Sequence, residues 1–445
     1  MQCWSAQADY APIAVAKAEG CWIHTVDGRK IFDLRSAHEC INLGFNHPKI
    51  LAALKAQMDH AVYVTDDFAT APTAKLAQRL AELTPGSPNK KTYFSQSGAA
   101  AVEAAIKAAR LYQYNRAFHD SGTVDVPSQY PYPYKTISRY SSWHGSASGA
   151  ASASGDPRRW FQEPLTVPGV VFAPDANPYR PHFDSLDQHL DYLNFIIEQE
   201  GGRNKVAAFL LEPIVGSNGI IVPPDRYLEG VRALCDHWDL LLIVDETMTG
   251  MGRTGKWLAI EHWKTVEPDI IIMGKALGAY CPLAATILSE KVASSFDENL
   301  FGHGQSYSGH ALACAGALAS LDVLHNDGLL KRSAHLGSSL GERLAALAAE
   351  HPSVGDVRGM GMFWTMELVA DRSTKQPLRK ANERYENTIV KQVSDFLFTE
   401  RNVYMPSDKF GLWIVPPLIV NEEEIEFLLL AIEDALSLAD RLFAA

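Results

Sequence analysis

The sequence predicts an α/β protein with two unequal parts. The larger is a mostly parallel central sheet covered by helices, and the smaller is an α+β domain. Three observations carry this expectation. In the middle of the chain, continuous apolar runs (Val206–Leu211, Leu240–Val244, Ile270–Met273) alternate with an amphipathic helical stretch, Tyr227–Trp238. Apolar runs without polar alternation suit strands buried on both faces, and intervening helices are the connections a parallel sheet requires. Beyond about residue 311 the texture changes to long helical stretches over 311–324 and 333–351, then short strand candidates at 362–368 and 412–415 and two more helices. Finally, 445 residues suffice for two or three domains. The expected division is an N-terminal segment over 1–45 packing with the small domain, a large domain over 46–320 and a small domain over 321–445.

Taken in order, residues 21–34 hold two short extended runs around Asp27-Gly28, a hairpin signal. Residues 73–84 and 99–117 carry alanine-rich helical periodicity, and the small polar stretch 145–157 is expected to be loop. No internal repeat is visible.

Composition narrows the function. The chain is 47% hydrophobic and 21% charged, ordinary for a globular protein. Its 40 basic and 52 acidic residues give a net charge of −12, which disfavours nucleic acid or an anionic membrane as a partner. No apolar run approaches the roughly 18 residues of a membrane span, and the first residues lack the basic flank and apolar stretch of a signal peptide. Six cysteines without a C-x-x-C pair suggest reduced thiols. A cytoplasmic protein of enzyme size is the expectation.

Three buried runs each deliver an ionisable residue: Glu212, Asp245 and Lys275. In parallel α/β sheets, ligands bind beyond the carboxyl ends of the strands, so the three converge on one place. Taken singly, Asp245 could cap a turn, and a lone lysine after a strand is more often solvated. Two tempting motifs fail. Gly250–Lys256 fits seven positions of a phosphate-binding P-loop, but Trp257 stands where Ser or Thr must hold magnesium. His38-Glu39-Cys40-Ile41-Asn42 misses a zinc site at its second histidine, and His303 and His310 lack Cys or carboxylate neighbours in sequence, so no metal is expected.

A collinear series of blocks resembles the class III aminotransferases, pyridoxal-phosphate (PLP) enzymes of fold type I. Ser95–Arg110, with Ser97-Gly98, resembles their phosphate loop and following helix. Trp143-His144-Gly145, Glu212-Pro213, and Asp245-Glu246 with Gly250, Gly252, Arg253, Thr254 and Gly255 resemble successive further blocks, the last being the most specific. Pro268–Gly278 with Lys275, Tyr307-Ser308-Gly309-His310, Val357-Arg358-Gly359 and Pro416-Pro417-Leu418 complete the series, which covers roughly residues 8–440.

The resemblance implies roles. Lys275 would carry PLP as a Schiff base and shuttle the proton. Asp245 would keep the pyridine nitrogen protonated so that the ring accepts electrons. Ser97, Gly98 and Ala99 would meet the phosphate where a helix opens. Trp143 would stack on the ring and Thr247 pack against its other face, with His144 and Glu212 nearby; outside this context Trp143 would pass for a core aromatic and His144 for a structural histidine. Ser306 would contact the phosphate from a partner subunit, which implies a homodimer, possibly paired into a tetramer. The reaction implied is a ping-pong transamination from a primary amine or ω-amino acid, such as β-alanine, taurine or 4-aminobutyrate, to pyruvate or 2-oxoglutarate. Rival readings are an aminomutase or decarboxylating transaminase of the same class, a transaminase acting on a diamine, a nucleotide hydrolase using Gly250–Lys256, and a PLP-binding protein without turnover, against which Lys275 argues.

The sequence departs from the pattern in three places. Ala99 and Ala100 replace polar residues of the phosphate loop, implying looser PLP retention. The mobile arginine that pyruvate-using members often carry before the Pro-Pro-Leu block is absent; Lys409 stands nearby without the bidentate fork, and Arg158 or Arg159 are other cations for the role. Glu39 aligns with a substrate-lining stretch, where it would attract a distal amine, pair with an acceptor-binding arginine, or face solvent. Trp22, Glu39 and Lys409 form the expected substrate side.

Overall fold

Val15–Glu19 (β1), Trp22–Thr25 (β2) and Lys30–Asp33 (β3) form an antiparallel ribbon, turned at Asp27-Gly28 with Gly28 at φ +90°. That is the hairpin the dipeptide predicts, because the turn needs a positive φ that glycine adopts freely. β3 pairs in parallel with Val403–Tyr404, so the N-terminal ribbon joins the C-terminal part of the chain. The computed structural model describes residues 12–65, 67–121, 132–378, 388–405 and 411–443.

The central sheet has seven strands: Lys91–Ser95 (β4), Lys135–Arg139 (β5), Val170–Ala173 (β6), Val206–Leu211 (β7), Leu241–Asp245 (β8), Ile270–Met273 (β9) and Ala284–Leu288 (β10). Their order is β4-β10-β9-β8-β7-β5-β6; β10 runs antiparallel to both neighbours and the other pairs are parallel. Side chains alternate between two cores. Phe209, Leu211, Leu242, Val244, Ile271 and Met273 enter one, while Ala208, Leu210, Leu241, Ile243, Ile270 and Ile272 enter the other. Both faces are covered, which is why these runs show no polar positions. One face is closed by the helices Gly98–Ser121 and Ser148–Ala153.

A third sheet follows. Phe363–Asp371 (β12) pairs antiparallel with Val354–Met360 (β11), Gln376–Pro377 (β13) and Gly411–Ile414 (β15), and Val403–Tyr404 is β14. The helices Ala311–Asn326 and Leu329–Glu350 precede this sheet and Glu422–Phe443 ends it.

Several expectations need correction. Residues 148–153, within the expected loop, form a short helix whose Ala150, Ala151 and Ala153 are fully buried; small side chains let its backbone approach the Gly98–Ser121 helix. Only one of the two late helices follows β15, since Ile389–Glu400 lies before β14. One of the two hydrophobic clusters extends from Cys21 to Ala439. The five cysteines within the described residues are free thiols, and no described helix is long and apolar enough to cross a membrane.

Candidate active site

Strands β7, β8 and β9 are adjacent and parallel, so Glu212, Asp245 and Lys275 leave the sheet on one side. The segment after β4 brings Gly98 and Ala99 to the same side, and the segment after β5 brings Trp143, His144 and Gly145. All eight line one cavity of about 380 Å³, together with Arg35, His38, Ser146, Arg158, Ser217, Thr247 and Met248.

The floor of this cavity is a buried acid network. His144 Nδ1 lies 2.7 Å from Asp245 Oδ2, and the Thr247 amide donates to Asp245 Oδ1 at 3.0 Å. The carboxylate is thus fixed by two contacts with little solvent around it. Glu212 accepts from the amides of Trp143 (3.1 Å) and Gly216 (2.8 Å), so it ties two loops together beneath the cavity. Burial pushes the Glu212 carboxyl up from its ordinary value, and the Asp245 charge acts in the same direction.

One wall is the start of the helix Gly98–Ser121. First-turn amides of a helix have no carbonyl partner within it. Ser97 is exposed, and its hydroxyl accepts from the Ala100 amide at 3.2 Å, capping that turn. Gly145, at φ +132°, lies so close to this turn that a Cβ there would stand 2.5 Å from the Ala99 Cβ. Opposite, the Arg158 guanidinium sits 3.8 Å from the Trp143 ring centroid and donates twice to Asp156, at 2.8 and 3.1 Å.

Lys275, at φ +47°, reaches Glu39, with Nζ 2.6 Å from Oε2. Glu39 is only 1% exposed, which excludes the solvent-facing reading. It ends a left-handed turn, Ser36–Glu39, in which all four residues have φ between +46° and +60°. Asp33 holds the turn from beneath by accepting from the amides of Arg35 (2.9 Å) and Ala37 (2.6 Å). Arg253, fully buried, clamps it from the side. Its guanidinium donates to Ser36 Oγ (3.2 Å), Asn42 Oδ1 (2.5 Å), and the carbonyls of Met362 (2.9 Å) and Pro416 (2.6 Å). The flanking glycines let this stretch pack closely: a Cβ at Gly252 would stand 3.0 Å from the Leu418 side chain and one at Gly255 2.7 Å from the Ala334 Cβ.

The class III aminotransferase family matches residues 4–436. The chain is a class III aminotransferase. Its cofactor is PLP. The aminotransferase is 30% identical to a taurine–pyruvate aminotransferase of Bilophila wadsworthia over 98% of this chain and 94% of that one. It is 31% identical to an isoleucine 2-epimerase of Lentilactobacillus buchneri over 97% of this chain and 91% of that one. Among solved structures it resembles a taurine:2-oxoglutarate aminotransferase from Bifidobacterium kashiwanohense in complex with PLP and glutamate, at a TM-score of 0.91 and 30% identity, covering 99% and 96% of the two chains.

The cavity of this aminotransferase fits PLP on its own chemistry. His144 Nε2 and Thr247 Oγ1 are buried and lack a hydrogen-bond partner among the described residues, so the site offers polar atoms that the protein alone leaves unsatisfied. A carboxylate, a helix start and an amine converge there.

The expected substrate side fares unevenly. Trp22 is not at the cavity. Its indole donates to Glu424 at 2.7 Å and its ring packs on Phe32 and Phe427, because β2 turns that face toward the C-terminal helix. Lys409 lies outside the described residues. Arg159 points away, pairing with Glu163. Ser306 is exposed on a loop outside its own chain's cavity, its carbonyl accepting from Tyr63. Sequence reasoning missed Arg35. The only available signal was its spacing of four from Glu39, which in an ordinary helix would mark a surface pair.

Proposed function

We propose that this enzyme moves an amino group from a primary amine or ω-amino acid to a 2-oxo acid. The observation that carries the reading is the convergence of Lys275, Asp245 with His144, and the helix start at Gly98 on one cavity that also holds arginines. Bound PLP supplies the carbonyl that takes up the donor's amino group and the ring that withdraws electrons from the adjacent carbon. Lys275 Nζ removes the proton from the donor's amine-bearing carbon and delivers it onward, then reverses these steps for the acceptor. Asp245, fixed by His144 Nδ1 and the Thr247 amide, would be the partner of the ring nitrogen. Trp143, backed by Arg158, presents a flat face. The amides of Gly98 and Ala99 offer donors to the phosphate dianion.

The similarity to taurine aminotransferases favours ω-amino donors, with pyruvate or 2-oxoglutarate as acceptor. The epimerase-like relative supports a second reading, chemistry of the same class without net amino transfer. The proposal extends to a homodimer in which Ser306 reaches the partner's phosphate site, supported by the exposure of Ser306 outside its own cavity. A cytoplasmic setting is supported by the five free thiols. The division at residues 45 and 320 rests on the three separate sheets, with β3–β14 pairing joining the first segment to the last.

The test is the absorption spectrum of the purified protein with PLP, before and after β-alanine, taurine, 4-aminobutyrate, a diamine and an aromatic amine. A visible band that Lys275→Ala abolishes and one donor bleaches supports the reading. A band that no donor bleaches favours the epimerase-like alternative, and no band at all removes Lys275 from its role.

A further inference from the structure

Three cationic side chains line the cavity: Arg35, Arg158 and Lys275. Two are engaged. Lys275 holds Glu39 at 2.6 Å, and Arg158 spends two donors on Asp156 while lying on Trp143. Arg35 differs. Among the described residues its side chain makes no hydrogen bond, and its Nε is buried without a partner. The nearest acid, Glu39 Oε1, is 3.5 Å from that Nε, within ion-pair range but too far for a good hydrogen bond. Glu39 Oε1 is itself buried and without a hydrogen bond. The guanidinium rests 5.2 Å from the Trp413 ring centroid, and its backbone amide is pinned by Asp33. The cavity therefore contains a planar cation with unspent hydrogen-bond donors, positioned by a strained turn and only loosely ion-paired with Glu39.

We infer that Arg35 is the receptor for the substrate carboxylate, and so sets the preference for substrates that carry one. Its fork matches a carboxylate with two parallel hydrogen bonds, which Lys275, already committed to cofactor chemistry, cannot provide. Glu39 is the resting counter-ion. It holds the guanidinium in place, and its loose 3.5 Å contact leaves the donors open to an incoming carboxylate. The inference rests on the transaminase reading for the identity of its ligand, a 2-oxo acid, but its test does not.

Binding of propanoate, a carboxylate that cannot react, is measured by calorimetry on the PLP-loaded wild type, Arg35→Ala and Arg35→Lys. Half-reactions are followed with pyruvate and with a carboxylate-free amine, 1-phenylethylamine. Loss of charge-assisted hydrogen bonds predicts roughly ten- to a hundredfold weaker propanoate binding in Arg35→Ala, with Arg35→Lys between the two. The KM for pyruvate is expected to rise in parallel, while the amine half-reaction stays within about twofold. Propanoate bound as tightly by Arg35→Ala as by wild type overturns the inference. So does an equal loss in the amine half-reaction, which would make Arg35 a support of the fold. A wild type that reacts with no amine, yet loses propanoate on substitution, would end the transaminase reading and leave the carboxylate receptor standing.

Discussion

Replacing Arg253 by methionine is expected to destabilise the protein by about 3–5 kcal/mol, the cost typical of removing one partner from a buried charged network. The structure gives both sides of that figure. Three acceptors lose their donor: the carbonyls of Met362 and Pro416 and the Asn42 side-chain oxygen. Each buried orphan costs about 1–3 kcal/mol. Ser36 loses less, because its hydroxyl still donates to the Val415 carbonyl at 2.7 Å. Against this stands relief from burying a charge. Burial brings the Arg253 guanidinium down from 12.5 to about 10, a penalty of about 3 kcal/mol on the charged form that methionine would not bear. At the middle of the range for an orphan, the three cost about 6 kcal/mol, which outweighs the relief and leaves a net of about 3 kcal/mol. The assay is urea unfolding of the wild type, Arg253→Met and Arg253→Lys, with Asn42→Ala combined with each to read the coupling. Lysine keeps the charge without the fork, so it recovers only part of the loss. A methionine variant within about 1 kcal/mol of wild type would refute the reasoning, since it would mean that packing alone joins the segments at residues 36, 42, 362 and 416.

Two further outcomes follow from local geometry. Gly145→Ala puts a Cβ 2.5 Å from the Ala99 Cβ at a φ of +132°, so the helix start must shift; PLP dissociation measured by titrating the apoprotein is expected to weaken about tenfold or more, and unchanged affinity would detach Gly145 from the phosphate site. Burial raises Glu246 from 4.5 to about 7 despite hydrogen bonds from Thr249, Ala259 and Ile260, and raises Asp33 to about 6. A carboxyl that holds its proton more tightly when folded favours the fold below its unfolded value and loses that advantage as pH climbs through the folded one. His38 and His189, brought down from 6.5 to about 4 by burial, act in the opposite direction over the lower part of that range, so the test is a difference: the stability of Glu246→Gln relative to wild type is expected to rise between about pH 5 and pH 8 by up to about 3 kcal/mol, and a gap between their urea midpoints that stays constant over that window would contradict it.

The parts of the fold legible in the sequence were those whose physics is local. Val206–Leu211 and Ile270–Met273 are read to the residue because strands covered on both faces admit no polar side chain, and the charges just beyond them mark where the strands end. The hairpin at Gly28 is equally local. The short helix Ser148–Ala153 was not legible, because its small residues are poor evidence for any element until a neighbouring helix buries them. Trp22 lies away from its own chain's cavity for a related reason. An aromatic on an amphipathic strand has two faces to choose from, and the choice fell to a helix four hundred residues later.

The cavity's least legible feature is its most unusual one. Residues 33–40 contain no glycine, yet four consecutive residues adopt the left-handed region, at about 1–2 kcal/mol each. A local reading gives Arg35 and Glu39 a right-handed helical turn and places both on its surface. What reverses the hand is one local carboxylate and two contacts distant in sequence. Asp33 takes two amides of the turn, Ser36 Oγ reaches the carbonyl of Val415, and Arg253 closes on Ser36 and Asn42 from the loop after β8. Those contacts offset the strain, and they serve one geometric end. Only the reversed turn carries the Glu39 carboxyl inward to Lys275 while leaving the Arg35 guanidinium in the cavity with its donors free. The buried clamp at Arg253 and the carboxylate receptor at Arg35 are thus one device. A substitution that relaxes the clamp should therefore weaken propanoate binding before it unfolds the sheet.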